Sequence, residues 1–156
     1  PLGAGRGLSL AALADYHGMP LPYMAKQMQL LSKAGIVRTS RGHTGGYALA
    51  KAPQEICLWD IKQAVDGSAP AFRCTEIRQK GPCAIPRTEC RTPCAIAAAF
   101  GRAENAYRDL LREIRLSDIL ADVTGAGDAQ HMLDMLHWYE ANVTMLPEKT
   151  AKAPAS

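Results

Sequence analysis

The chain has 156 residues, of which 47% are hydrophobic and 6% aromatic, and it carries a formal net charge of +3 at pH 7. This length suits one compact domain with an appendage, and the abundance of Ala and Leu favours helices. No run of 18 apolar residues is present, so no membrane-spanning helix is expected, and no signal peptide is visible. The excess positive charge permits an anionic partner without requiring one.

The first few residues are rich in glycine and read as a loop, and two short helices joined by a tight turn are predicted after them. Ser9 is placed to cap the first helix and Gly18 to end it. In the second helix Met24 and Met28 recur at helical spacing, and Gly35 ends the helix. Two short helices with a tight turn between them form a helix-turn-helix.

A β-hairpin is predicted directly after the second helix, with short strands at 36–39 and 47–49 and a glycine-rich turn between them. In winged helix-turn-helix proteins such a hairpin is the wing. The second helix enters the major groove of DNA, and the wing contacts the backbone or the minor groove. The turn carries Arg41, which is a candidate for such a contact.

Polar side chains of the second helix are the candidates for contacting bases and phosphates. A glutamine can pair with adenine, a lysine can reach guanine or phosphate, and a tyrosine can donate to a phosphate. The alternative is that these side chains form only a solvated face, or that the winged domain binds a protein. The DNA-contacting residues predicted in the helix and the wing are Tyr23, Ala25, Lys26, Gln27, Gln29, Lys33, Arg41 and His43.

Four of the five cysteines lie in one proline-containing loop that follows a further predicted helix within 55–67. They are Cys74, Cys83, Cys90 and Cys94, separated by eight, six and three residues. The fifth, Cys57, lies in an apolar segment and reads as a small buried side chain. Thiolates at such spacing point to a metal centre, to disulfide bridges or to reactive thiols.

An iron–sulfur cluster is the ligand favoured for this loop. Structural zinc commonly uses two paired cysteine knuckles, and only Cys90 and Cys94 have that spacing, so zinc remains the less favoured metal. Disulfide pairing is the main alternative without metal, and it suits a cytosolic DNA-binding protein only if the bridge is itself the signal. His17 is a candidate additional ligand, and His43 a weaker one.

The segment after the cysteines shows heptad spacing. Apolar residues recur at intervals of 4, 3, 4, 3 and 4 in a predicted long helix, which is typical of a helix that pairs with another. The alternative is a helix packed on its own domain. The predicted dimer interface consists of Ile96, Phe100, Ala103, Tyr107, Leu110 and Ile114.

A short helix capped by Ser117, a linker at 123–130 and one amphipathic helix over 131–146 are predicted next, and the last ten residues are expected to be disordered. The predicted fold is mainly α with a small β-wing: a winged helix-turn-helix plus a long dimerisation helix. Its parts are the DNA-binding domain 1–70, the cysteine loop 71–94, the dimerisation helix with the following short helix 93–123, and a C-terminal extension 124–156.

These motifs resemble those of the Rrf2 family of bacterial transcriptional regulators. The resemblance covers roughly residues 8–122 and is carried by LADYHGMPLPYMAKQMQLLSKAGIV, RGHTGGYALAK, WDIKQAVDG, FRCTEIRQKGPC, PCAIAAAFGRAENAYRDLL and LSDIL. It implies a homodimer that binds a double-stranded DNA operator. It also implies an iron–sulfur cluster, [2Fe-2S] or [4Fe-4S], held by cysteines of the loop, whose loss or alteration changes DNA binding.

Two features depart from that family pattern. The best-known members carry three cysteines at close spacing, whereas this chain has four at wider and unequal gaps; Cys74 matches the first of the three best. We expect Cys83, Cys90 and Cys94 to act together, with Cys74 as a fourth ligand or a redox partner. Family members also begin with a further helix, which in some supplies a ligand, and this chain is expected to lack it.

The sequence thus predicts a cytoplasmic transcriptional regulator, a repressor, that senses redox state, nitric oxide or iron–sulfur status through its cluster. The first alternative is a regulator with a metal-free thiol–disulfide switch, since Arg73, Arg87 and Arg91 beside the thiols would favour thiolates. The second is a cluster-carrying or electron-transfer protein. An enzyme is not expected, because no nucleophile constellation or phosphate-binding loop is present.

Overall fold

The computed structural model describes residues 5–40 and 45–146 of the chain. Within them the chain forms six α-helices and a small antiparallel four-stranded sheet, as predicted for the fold class. Short 3₁₀ turns lie at Pro53–Glu55, Ile77–Gln79 and Arg87–Glu89. The helices and strands in chain order are β1 Arg6–Leu8, α1 Leu10–Tyr16, α2 Leu21–Lys33, β2 Val37–Ser40, β3 Gly46–Leu49, α3 Leu58–Asp66, α4 Ala95–Glu113, α5 Leu116–Ala126, α6 Ala129–Asn142 and β4 Val143–Met145.

The helix-turn-helix consists of α1 and α2, and local signals set its bounds. The Ser9 hydroxyl accepts a hydrogen bond from the Ala12 amide at 3.1 Å, which caps α1 as predicted. Gly18, at φ +59°, follows α1, and Gly35, at φ +71°, follows α2. Glycine tolerates this left-handed conformation without strain, so each helix ends where the sequence predicted.

The sheet has the strand order β2-β3-β1-β4, with antiparallel pairing throughout. The hairpin of β2 and β3 is the predicted wing. Strand β1 was expected to be a loop, and residues 131–146 were expected to form a single helix. Instead α6 ends at Asn142, and β4 pairs with β1 in the register Arg6 to Met145. The predicted linker at 123–130 is also shorter, because α5 continues to Ala126.

The core lies where α1, α2 and the hairpin meet. Met24 and Met28 of α2 are buried there with Ile36, Val37 and Ile56. Helix α3 packs on this core through half-buried side chains. The apolar stripe predicted from the spacing of the two methionines is therefore the inner face of α2.

The junction between α4 and α5 is tied to the start of α3 by backbone hydrogen bonds. The Leu58 amide donates to the Ile114 carbonyl at 3.0 Å, and the Leu116 amide donates to the Ile56 carbonyl at 2.9 Å. These two bonds fix the C-terminal end of the long helix to the DNA-binding domain.

Strand β4, in the C-terminal segment, forms the edge of the sheet opposite to β2. Leu146 is only 4% exposed, and its amide donates to the Gly5 carbonyl. A Cβ placed on Gly7 would lie 2.6 Å from a Leu146 methyl carbon, so this glycine is needed for the close approach. The Trp138 ring packs on Tyr16 of α1, with centroids 4.5 Å apart. The extension is thus packed against the winged domain.

Replacing Leu146 by alanine should destabilise the fold by about 2–5 kcal/mol, because the substitution leaves a cavity under β1. The free energy of unfolding, measured by urea denaturation, tests this. Met145→Ala is the matched control: its side chain is 67% exposed, and we expect a change within ~0.5 kcal/mol. Equal effects of the two substitutions would show that the extension does not contribute to the core.

Candidate DNA-binding helix and cysteine loop

Helix α2 presents a polar outer face. Tyr23, Lys26, Gln29 and Lys33 are exposed on it, and all four were predicted to contact DNA. Ala25 is half-buried. The outer face therefore offers two lysines, one amide and one phenol to a partner lying along the helix.

Gln27 does not point outward as the sequence suggested. Its carbonyl oxygen is buried and has no hydrogen-bond partner among residues 5–40 and 45–146. The reason is its position three residues after Met24 and four before Leu31, on the apolar face of the helix. Arg41 and His43 of the wing lie outside the described residues, between β2 and β3.

Two of the four loop cysteines lie side by side. The sulfur atoms of Cys74 and Cys94 are 4.0 Å apart. Cys94 is the N-cap of α4, and its sulfur accepts a hydrogen bond from the Ala97 amide at 3.3 Å. The Cys74 sulfur accepts from the Glu76 amide and contacts the Glu76 carboxylate, both at 3.4 Å. The thiol pair thus sits at the first turn of the long helix.

Arg78 holds the two ends of the cysteine loop together. Its guanidinium forms an ion pair with Glu76 at 2.8 Å and donates to the Thr92 carbonyl at 3.0 Å. The Arg78 carbonyl in turn accepts from the Ile85 amide at 2.9 Å. The ion pair with Glu76 and the nearby Cys90 and Cys94 raise the pKa of Arg78, so a cation always faces this part of the loop.

The pKa values of the two paired thiols are shifted in opposite directions. The Ala97 amide is the main cause that lowers the pKa of Cys94, with smaller contributions from Cys74, the Ile96 amide and Arg78. For Cys74, the hydrogen bond from the Glu76 amide lowers the pKa. The Glu76 carboxylate, desolvation and Cys94 together outweigh it, and the pKa is raised. Cys94 is therefore the more readily ionised thiol of the pair.

The other predicted ligands are not assembled with this pair. Cys83 is exposed, Cys90 is half-buried, and His17 is exposed at the end of α1. Within residues 5–40 and 45–146 no three His, Cys, Asp or Glu side chains are grouped so that they could hold a metal ion. The predicted set of four cysteine ligands, with Cys83, Cys90 and Cys94 acting together, remains a hypothesis.

The separation of the paired sulfurs distinguishes what they can bind. Two thiolates on one tetrahedral metal ion lie ~3.8 Å apart, from a metal–sulfur bond of about 2.3 Å. A disulfide requires about 2.05 Å. At 4.0 Å, the sulfur atoms of Cys74 and Cys94 fit the edge of a tetrahedral thiolate site, and a disulfide would need them to move ~2 Å closer. This spacing suits two thiolates on a single metal ion, as in a zinc site or on one iron of a [2Fe-2S] cluster.

The heptad residues of α4 form an exposed apolar face. Phe100 is 51% exposed and Leu110 57%, with Ile96 and Tyr107 similarly open. The Phe72 ring stacks on Phe100 with centroids 4.4 Å apart, so the start of the cysteine loop borders this face. Ala103 is exposed as well. Ile114 is half-buried and follows the helix as its C-cap, and its carbonyl accepts a hydrogen bond from the Leu58 amide.

The fold and the polar outer face of α2 define a winged helix-turn-helix transcriptional regulator. The sequence matches the model of the Rrf2 family, described as an iron-dependent transcriptional regulator, over residues 2–122. The chain belongs to the Rrf2 family. The likeness that the motifs indicated is thereby confirmed.

Similar proteins include an rrf2-like HTH-type transcriptional regulator of Rhodobacter capsulatus, 28% identical over 116 residues, which are 74% of this chain and 76% of the relative. The regulator IscR of Vibrio parahaemolyticus is 29% identical over 113 residues, which are 72% of this chain and 62% of the relative. These relatives are transcriptional regulators, which confirms that the chain is not an enzyme.

Two solved structures share the fold. The global cysteine regulator CymR of B. subtilis has a TM-score of 0.57 and 22% identity, covering 76% of this chain and 81% of that chain. IscR of T. potens has a TM-score of 0.57 and 23% identity, covering 81% and 79%. Among the described residues no helix is both long and apolar enough to cross a membrane.

Proposed function

We propose that the protein is a cytoplasmic homodimeric repressor whose DNA affinity depends on the state of the cysteine loop 71–94. Helix α2 would enter the major groove, with Lys26 and Gln29 reaching bases or phosphates and Tyr23 and Lys33 contacting the backbone. Arg41 and His43 remain the predicted contacts of the wing. The exposed apolar face of α4, the heptad seam, would pair with the same face of a second copy. This pairing would set the spacing of the two recognition helices.

For the sensor, we propose an iron–sulfur cluster held by Cys74 and Cys94, with Cys83 and Cys90 completing the ligand set and His17 as a further candidate. A bound cluster would supply sensitivity to redox state, nitric oxide or iron–sulfur status. The single observation that carries the proposal is the thiol pair at the first turn of α4, 4.0 Å apart. Because the Cys94 sulfur caps the helix that bears the proposed dimer interface, ligation or oxidation of that sulfur would alter the cap.

The same pair favours a second candidate, a metal-free thiol–disulfide switch. The Cys94 thiolate would attack a peroxide, taking one oxygen atom as sulfenic acid and releasing water after protonation. The Cys74 sulfur would then displace a second water from Cys94 and form the S–S bond, with loss of its proton. The peroxide is reduced by two electrons, and the two thiols are oxidised by two. The lowered pKa of Cys94 suits it to the first step.

Quantifying iron, sulfide and zinc in anaerobically purified protein, with its absorption spectrum, separates the candidates. The cluster predicts iron and sulfide in equal amounts, and their loss in Cys83→Ser and Cys90→Ser as well as in Cys94→Ser. The disulfide switch predicts no metal and loss of two free thiols on mild oxidation, in Cys83→Ser as in the wild type. A protein that contains no metal and shows no change in free thiols on oxidation would contradict both candidates. A metal-loaded protein with no salt-dependent DNA binding would instead indicate a cluster carrier.

A further inference from the structure

The Trp59 side chain of α3 is enclosed by three cations. Its ring is 5% exposed and lies at the contact between α3 and α4. The Lys62 ammonium nitrogen is 5.3 Å from the ring centroid, and the central carbons of the Arg108 and Arg112 guanidinium groups are at 5.0 and 5.6 Å. All three lie within the distance at which a cation is attracted to an aromatic face. Two of the three belong to α4, so this ring is one of the contacts that join α3 to α4.

Arg108 is fixed by further interactions. Its Nε donates to the Glu104 carboxylate at 2.9 Å, and its Nη2 donates to the Ser68 carbonyl at 3.1 Å. Ser68 lies just after α3, where the chain begins to run toward the cysteine loop. The single guanidinium therefore contacts α3, the chain that leaves α3, and its own helix.

A continuous path leads from the thiol pair to the DNA-reading helix. Cys94 caps α4, and Arg108 follows 14 residues later in the same uninterrupted helix, ~21 Å along its axis at about 1.5 Å per residue. From Trp59 the path continues through α3, whose Ile61 and Ala64 pack against the core that contains Met24 and Met28 of α2. Contacts through α3 thus connect α4 with helix α2.

The interactions between α3 and α4 are of two kinds. At the C-terminal end of α4 the backbone hydrogen bond from Leu58 to Ile114 is directional and holds one position. At Trp59 a flat ring faces guanidinium groups, and this attraction persists when the cation shifts laterally over the ring face. Such geometry allows the N-terminal part of α4 to turn about its fixed C-terminal end in a small hinge motion, provided that the chain at Ser68 moves with Arg108, which donates to its carbonyl.

We propose that Trp59, Arg108 and Arg112 form the joint that transmits the state of the cysteine loop to helix α2. They are positioning residues for DNA binding and do not contact DNA. The inference rests on the proposed function, since it assumes that the loop controls operator affinity. The inference goes beyond the proposed function by naming the residues through which the loop would change operator affinity.

The test compares the operator affinity of each variant between two states of the loop. One state is reduced and metal-free, and the other is either loaded with iron and sulfide or oxidised with diamide. The probe is a duplex selected from a randomised library by the wild-type protein. We expect the affinity ratio between states, about 5–150-fold for a coupling of ordinary size, to fall below about 2 in Arg108→Gln and Trp59→Leu. Arg102→Gln, an exposed arginine of the same helix, should keep the wild-type ratio.

Conservative variants separate transmission from folding. Trp59→Tyr and Arg108→Lys keep a ring and a cation and should restore most of the ratio. In Trp138→Phe protein, Trp59 is the one remaining tryptophan, and its fluorescence should change on diamide oxidation of the loop. Removing the guanidinium with Arg108→Gln should abolish that change while the thermal melting curve stays cooperative.

Each outcome decides between these possibilities. If Arg108→Gln and folded Trp59→Leu both keep the wild-type affinity ratio between loop states, the proposed role of the joint is wrong, and the proposed function is unaffected. If Trp59→Leu fails to fold, Arg108→Gln and its lysine variant decide alone. A wild-type protein whose affinity is the same in every loop state overturns the proposed function and the joint together.

Discussion

Replacing Tyr107 and Leu110 by glutamate is expected to convert the protein into a monomer and to weaken operator binding about 10²–10⁴-fold, the gain that linking two binding modules confers. Both side chains belong to the heptad seam of α4 and are roughly half exposed, at 47% and 57%. Two carboxylates on each seam would repel one another and would lose their hydration in a dimer interface. Sedimentation equilibrium gives the mass, and fluorescence anisotropy with labelled duplex gives the affinity.

The matched control is Arg102→Glu, which places the same charge on an exposed position of α4 outside the seam. It should remain dimeric, and its affinity should change only through the altered net charge. A double variant that stays dimeric would exclude the α4 seam as the interface. A double variant that becomes monomeric and binds DNA as tightly as before would show that operator recognition does not need two copies.

The second large effect is expected on the outer face of α2. Gln29→Ala should cost about 1–3 kcal/mol of binding free energy and relax the preference at one base pair of each half-site. Lys26→Ala should weaken binding to all sequences and reduce the slope of log affinity against log salt by about 1 for each phosphate that is no longer neutralised. Both side chains are exposed and lie away from the core, so folding should be unaffected.

Binding measured over a series of salt concentrations, with selected and scrambled duplexes, distinguishes the two roles. Gln130→Ala on α6 and Arg102→Ala on α4 are matched controls for an exposed amide and an exposed cation. If Gln29→Ala loses no more affinity for the selected duplex than Gln130→Ala does, the assignment of α2 as the base-reading helix is wrong.

The winged fold was predictable because local signals define it. The Ser9 cap, the glycines after α1 and α2 and the spacing of Met24 and Met28 act within a few residues of one another. Strands β1 and β4 were missed because each has only three residues and forms by pairing with strands distant in sequence, β1 with β3 and β4, and β4 with β1. No local pattern marks such a strand.

The candidate site was predictable in composition but not in arrangement. The sequence pointed to the four cysteines, with Cys83, Cys90 and Cys94 expected to act together and Cys74 as a fourth ligand or a redox partner. In the structure Cys94 lies beside Cys74, twenty residues earlier, because Arg78 joins Glu76 to Thr92 and so closes the loop. Gln27 was assigned to the outer face from its polarity alone, although its place between Met24 and Leu31 predicts the inner one.

In our interpretation the state of the loop cysteines sets the affinity for DNA. The most direct test is the operator affinity of wild-type protein, prepared anaerobically, in the iron- and sulfide-loaded, reduced metal-free and diamide-oxidised states, beside a Cys90→Ser, Cys94→Ser variant in the same three states. We predict that at least one treatment shifts the wild-type affinity about fivefold or more, within the usual range of allosteric coupling, and that the variant shows no such shift. Equal affinity of the wild type in all three states, matched by the variant, would contradict this interpretation.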